Sequence, residues 1–161
     1  MALFGCSNRL PAIKPVPEVD LPRFMGDWYV IAAIPTWIEK DSHNAIESYR
    51  LDEDGTVATT FTFNDGSPDG PKKTYTPRGF VVPDTGNALW GMQFIWPFKG
   101  EFIIAYLDEN YAHTIIARNR RDYVWIMARS PKVDDAKYQE LLNAAKEMGY
   151  DTTQIRRVPH T

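Results

Sequence analysis

Tyr123-Val-Trp-Ile-Met-Ala-Arg-Ser-Pro131 is the stretch that decides how this chain folds. Its β-branched and aromatic residues alternate between two apolar faces, and Pro131 ends the strand because proline cannot donate to a β-ladder. One face finishes in a charge, Arg129, which needs a partner. The best candidate lies about a hundred residues earlier, in Gly26-Asp-Trp28, since an indole face receives a guanidinium with a gain of roughly 0.5 to 2 kcal/mol. If the two meet, the last strand closes on the first, and a sheet whose first and last strands pair is a barrel.

Between these ends, alternating segments follow one another at the short spacing of an all-β domain, each bounded by turn residues. Strands are expected over 28–34, 44–52, 56–63, 72–82, 88–96, 101–107 and 111–118, with the last starting at Tyr123. That gives an eight-stranded, up-and-down antiparallel β-barrel. In this order the connections alternate between the two ends. The turns at Glu53-Asp-Gly55, Pro83 to Asn87 and Asp108-Glu-Asn110 share the end where Trp28 enters, and all are short, as a closed base requires. The long loops Pro35 to His43 and Asn64 to Pro71 fall at the other end, which suits an open mouth. After the strands, Asp134 to Met148 reads as one amphipathic α-helix with Asp134 as N-cap, Gly149 as stop, and Tyr138, Leu141, Leu142 and Ala145 on the face that packs on the outside of the barrel. Ile155 to Val158 reads as a short terminal strand.

Composition narrows the function. With 161 residues the chain forms one core, and a net charge of −3 with interspersed signs gives no nucleic-acid surface. Aromatic residues make up 13%, with five Trp and eight Tyr, and such residues line cavities as readily as they fill cores. There is one cysteine, so no intrachain disulfide forms, and no Cys/His group has metal-site spacing; no metal or cofactor is implied. No apolar run approaches the ~20 residues of a membrane span.

The N-terminus reads in two ways. Leu3-Phe-Gly-Cys6-Ser7 resembles the end of a bacterial lipoprotein signal, in which lipid is attached to the cysteine; the alternative is a lone reduced cysteine in a loose terminus. Ser7 to Pro22 contains Pro11, Pro15, Pro17 and Pro22 and reads as a semi-extended spacer reaching up to ~50 Å. The chain therefore divides into a signal remnant and tether over 1–22 and a barrel with its helix over 23–161. If Met1 is the true start, the product is cytoplasmic.

With Gly26-Asp-Trp-Tyr-Val-Ile-Ala32, Leu107-Asp-Glu-Asn-Tyr111 and Asp122 to Pro131 in this order, the sequence resembles the lipocalins. Their three signature regions are Gly-x-Trp, a turn of Asp-x-x-Tyr type and a late Arg, here Gly26, Trp28, Asp108, Tyr111 and Arg129. The motifs look most like those of the bacterial outer-membrane lipocalins and apolipoprotein D. The resemblance implies reversible binding and transport or storage of a small hydrophobic ligand, a fatty acid or lysophospholipid. It also implies a lipid anchor at Cys6 in the outer membrane facing the periplasm, and a monomer or homodimer. The sequence departs from the pattern in three places: Val30 stands where a glutamate is frequent, animal disulfides are absent, and Glu47 replaces a small or apolar residue.

Side chains alternate in a strand, so one fixed residue fixes each set. Inward Trp28 and Arg129 place Val30, Ala32, Tyr123, Trp125 and Met127 inside. For the middle strands the parity that matches the family puts Glu47, Tyr49, Thr59, Phe61, Gly79 and Val81 inside. The remaining strands supply Trp90, Met92 and Phe94, then Phe102, Ile104 and Tyr106, then Thr114 and Ile116. The alternative for all of these is a barrel filled by its own side chains. A carboxylate at position 47 would have to be protonated, paired, or close enough to the mouth to stay wet.

Three other functional classes remain. An enzyme acting on a lipid inside the barrel needs a cavity nucleophile, and Cys6 precedes the barrel while His113 shares the outward parity of Tyr111. A haem carrier needs an inward histidine, and only His43 in the first loop could swing in. A surface-recognition role would use the loop residues Trp37, Ile38, Trp96 and Phe98, and merges with ligand binding if those loops dock on a membrane.

Overall fold

The strand segments form one antiparallel sheet closed on itself. In this computed structural model, which describes residues 9–161, the strands are β1 (Gly26–Ile34), β2 (Ser42–Leu51), β3 (Val57–Asp65), β4 (Lys72–Tyr75), β5 (Arg78–Val81), β6 (Leu89–Ile95), β7 (Phe98–Leu107), β8 (His113–Ala117) and β9 (Val124–Ala128). Neighbours in sequence pair in order, and β9 returns to pair with β1, Val30 opposite Met127. The expected fourth strand is split at Pro77, so that β4 and β5 both pair with β3. Counted as one, they leave the eight-stranded barrel the sequence predicts. Cys6 lies outside the described residues.

The base is closed by a short helix that the sequence reading missed, α1 (Leu21–Phe24). Arg129 ties this helix to the barrel. Its guanidinium lies 3.8 Å from the Trp28 ring centre and donates to the carbonyls of Arg23, Phe24, Met25 and Asp27 at 2.8–3.1 Å. These include carbonyls at the end of the helix, where a cation is favourable. Gly26, at φ +92, makes the turn from helix to strand in a backbone conformation that L side chains rarely adopt. The Asp108–Tyr111 turn completes the base: Asp108 accepts from the amides of Ala112 and His113, and the Tyr111 hydroxyl accepts from the Asp20 amide.

The residues before α1 do not stand free. The Ile13 amide donates to the Asn119 side chain, Val16 to the Ile104 carbonyl and Val19 to the Gly86 carbonyl, so the stretch from Pro11 to Pro22, expected as a spacer, is a strap along the wall. The C-terminal helix α2 (Asp135–Glu147) forms as predicted, with Asp134 capping the Lys137 amide and Gly149 at φ +95 beyond its end. Leu141 and Ala145 bury outside the barrel against Ile103, Ile115, Val124 and Ile126. The terminal strand also forms, as β10 (Arg156–Arg157), which pairs with the mouth half of β1 at Ala32 and Ala33. There β2 has left β1, and the Pro159 carbonyl and Thr161 amide bond to Asn44 across the gap.

Replacing Arg129 by alanine would strand a row of carbonyls and remove the cover of Trp28. The expected cost is about 2–4 kcal/mol, a fall in Tm on the order of 10 °C by circular dichroism. Arg129→Lys should recover little, because one ammonium cannot serve the same set of carbonyls. An unchanged Tm in the alanine variant would mean that the base is held by other contacts.

Candidate functional site

Depth in the barrel sorts the interior residues by role. The lower half is filled by aromatic rings. Phe24 lies 5.1 Å from Trp28 and 5.6 Å from Tyr49 between ring centres, and Trp90 stacks on Phe102 at 4.8 Å. Here the packed-core alternative describes the structure. Nearer the mouth the inward side chains are Val30, Ala33, Ala45, Phe61, Phe63, Met92 and Ile116, with Trp125 at the upper edge. Thr59 and Thr114 are buried, Thr114 donating to the Tyr106 carbonyl at 2.8 Å. Ile104, Phe102, Trp90 and Met127 face inward as expected, and Gly79 lies against Trp90.

Three expected inward residues are placed elsewhere, each for a local reason. A β-bulge between Val30 and Ala32 resets the alternation of β1, so Ala32 faces outward toward α2 and Ala33 replaces it inside. A second bulge, between Ile104 and Tyr106, does the same in β7. Tyr106 therefore lies outside the barrel, hydrogen-bonded to Glu140 of α2, and Leu107 takes its place. Phe94 fails for a different reason. It sits where the β6–β7 hairpin projects past the rim and β5 no longer pairs, so it is 54% exposed.

Glu47 points inward at mid-depth, opposite Trp28 on β1 and Phe61 on β3, and is 9% exposed. It is too deep to be kept wet by the mouth. The Tyr49 hydroxyl donates to its carboxyl group, and desolvation pushes its pKa up to about 7, opposed by that hydrogen bond and reinforced by the nearby charge of Glu39. Protonation and pairing thus act together. Tyr49 is itself held well above the usual phenol range, first by burial and then by Glu47.

Glu39 is the residue that the sequence reading missed. The loop between β1 and β2 folds over the mouth and buries this side chain to 5% exposure. Its carboxyl group accepts from the Trp125 indole at 2.9 Å and from the Thr36 amide at 3.0 Å, and burial raises its pKa. Neither Glu39 nor Glu47 has a cationic partner among the described residues. Loops carry no periodicity, so nothing in the pattern around Trp37 and Ile38 marks Glu39 as the inward residue. The histidines lie apart from this pair: His113 is bonded to Asp108 at the base, His160 to the Val30 carbonyl, and His43 pairs with Asn64 on β3.

A lipocalin-like domain matches residues 19–160, nearly the whole barrel and its helix. The chain belongs to the lipocalin family. An outer membrane lipoprotein Blc from Vibrio cholerae is 26% identical to this lipocalin over 156 residues, 95% of this chain and 90% of the relative. Apolipoprotein D from Bos taurus is 33% identical over 128 residues, 73% of this chain and 65% of that protein. Among solved structures, insecticyanin from Manduca sexta superposes with a TM-score of 0.74 at 18% identity, covering 94% of this chain and 86% of that one, which shows a shared fold. Lipocalins bind small hydrophobic ligands, and the apolar upper interior of this one has the corresponding character.

The raised pKa of Glu47 makes stability depend on pH. Because its folded value, about 7, lies above its ordinary 4.5, the neutral form stabilises the fold below pH 4.5, and that contribution is lost as pH rises to about 7. Glu47→Gln keeps the shape and removes the ionisation. The variant should be close to the parent at pH 4.5 and more stable at pH 8, by up to about 3 kcal/mol, in parallel denaturant titrations. Superimposable pH profiles would place the carboxyl group in water.

Proposed function

We propose that this lipocalin reversibly binds a lipid-like molecule of the fatty acid or lysophospholipid class in the upper half of the barrel, for transport or storage. The observation that carries the reading is the Glu47–Tyr49 pair: a core filled only for stability gains nothing from a buried carboxyl group with no cation to meet it. Apolar walls supply affinity, and the pair supplies orientation. Its acceptor oxygens suit a hydroxyl or a cationic head group, whereas a bare carboxylate is repelled once Glu47 ionises. Glu39, latched to Trp125, is the group an entering ligand displaces. We infer binding rather than catalysis, since the interior pair offers hydrogen bonds but is not set beside a nucleophile among the described residues. The names of the bacterial relatives support a place at the cell envelope, with Cys6 as the lipid attachment point. Extending the chain upstream with a lipoprotein leader should then give a membrane-bound product that Cys6→Ser releases.

The test compares a fatty acid, its alcohol and a lysophosphatidylcholine of equal chain length, titrated against tryptophan fluorescence at pH 6 and pH 8. In the parent, the fatty acid should weaken relative to the other two as pH rises, by roughly tenfold for one unfavourable charge contact of 1.4 kcal/mol. Glu47→Gln should abolish that pH dependence, and Trp125→Ala should weaken all three ligands. If no lipid of any chain length binds saturably, the barrel is a packed core.

A further inference from the structure

Two apolar tips stand at the mouth, on opposite sides of the ring of strands. One is the β6–β7 hairpin, where Ile95, Trp96 and Phe98 are 73%, 82% and 77% exposed, with Phe94 beside them. The other is Trp37, 86% exposed, on the loop that covers the interior. In strand order, β1–β2 and β6–β7 lie about half the barrel apart, so the two tips flank the mouth at the same end of the barrel. None of these side chains belongs to either buried cluster. Large aromatic residues in water are costly, and a patch of them marks a surface meant to be covered.

We propose that the mouth end docks on a lipid bilayer, with Trp37, Trp96 and Phe98 inserted at the level of the head groups. Three observations select this occupant. The two tips stand apart on opposite sides of the mouth rather than lining a groove, which matches a broad, deformable surface. Tryptophan and phenylalanine are the residues that an interface between hydrocarbon and water receives best. The hairpin tip is closed on itself, Ile95 pairing with Phe98, so part of its backbone is already satisfied as it enters a poorly hydrated layer. Charge adds to this. Lys40 on the first mouth loop and Lys72 and Lys73 at the mouth end of β4 are exposed, and none forms an ion pair among the described residues. Asp41, Asp65 and Asp69 share the rim, so the lysines give a modest preference for anionic head groups and the aromatic tips carry the binding. Docking in this pose places the mouth and its Glu39 cover against the lipid source. The surface is separate from the interior pair, so the proposal stands whichever ligand the barrel takes.

Flotation with vesicles of phosphatidylcholine, alone or with a third of phosphatidylglycerol, tests it on the chain without lipid modification. The parent should bind both vesicles, severalfold more strongly with the anionic lipid. The double variant Trp96→Ser/Phe98→Ser should lose at least tenfold in partition, and Trp37→Ser severalfold. Both should keep the parent's Tm and its binding of lysophosphatidylcholine below the concentration at which it forms micelles. Vesicles with brominated acyl chains should quench the exposed tryptophans of the parent and lose most of that effect in a Trp37→Phe/Trp96→Phe variant. Absence of partition into either vesicle, or partition unaffected by the double variant, overturns the proposal. So does a dimer in sedimentation that the double variant dissolves while vesicle binding is absent, since the patch would then belong to a second copy of the chain.

Discussion

A barrel of eight strands has two open ends, and in this protein the demand for a dry base governs the arrangement. The interior rings of Trp28, Tyr49, Trp90 and Phe102 are useful apolar burial only if water is kept from reaching them from below. A helix of four residues is too short to hold itself together, and at its end the Trp28 indole serves only the Phe24 carbonyl, leaving the others to face an apolar floor. Arg129 resolves both difficulties. One planar guanidinium serves the carbonyls of Arg23, Phe24, Met25 and Asp27 with its edges and the Trp28 ring with its face. Arginine is the side chain with enough donors in a fixed plane for this task, and the helix, the first strand and the last strand meet at it.

The floor was legible because its parts are chemically unusual: a charge ending an apolar strand, a tryptophan after a glycine, and short turns at one end. The C-terminal helix was legible from its cap and stop. The walls were less so, for a reason that Val30-Ile-Ala-Ala-Ile34 illustrates. When every residue of a strand is apolar, alternation carries no information, and a bulge that exchanges Ala32 for Ala33 leaves no mark on the pattern. Phe102-Ile-Ile-Ala-Tyr106 poses the same problem, and there the bulge moved a tyrosine from the inside to the flank of α2. Where a strand mixes classes, as His43 to Leu51 does, the parity held through Glu47 and Tyr49. The Pro11–Pro22 strap was misread because proline sets an extended backbone but says nothing about what that backbone lies against.

The interior is divided by function as well as by depth. Below Glu47 the rings touch one another and leave the fold its rigidity; above it the lining mixes the small Val30, Ala33 and Ala45 with Phe61, Phe63, Met92 and Ile116, and a loop folds over it. A carboxyl group at this boundary costs stability in its ionised form, and the fold tolerates it by keeping the proton and supplying the Tyr49 hydroxyl. Glu39 repeats the arrangement at the rim with an indole donor. Two acids held out of water along one axis give the interior a polarity that apolar walls alone would lack.

The terminal strand β10 has a consequence for how the barrel comes into being. Where β2 parts from β1, the first strand would present unpaired backbone groups, and the last residues of the chain fill that seam. The other edge of the same strand is taken by β9, so β1 waits on partners from the far end of the chain on both flanks. During synthesis it emerges well before them and remains half-partnered until β9 and β10 have left the ribosome. Contacts this distant in sequence make closure slow, and an exposed apolar strand is the kind that recruits strangers. The tail therefore acts as a zip fastener: its arrival marks the moment at which the nascent chain stops being a hazard to its neighbours.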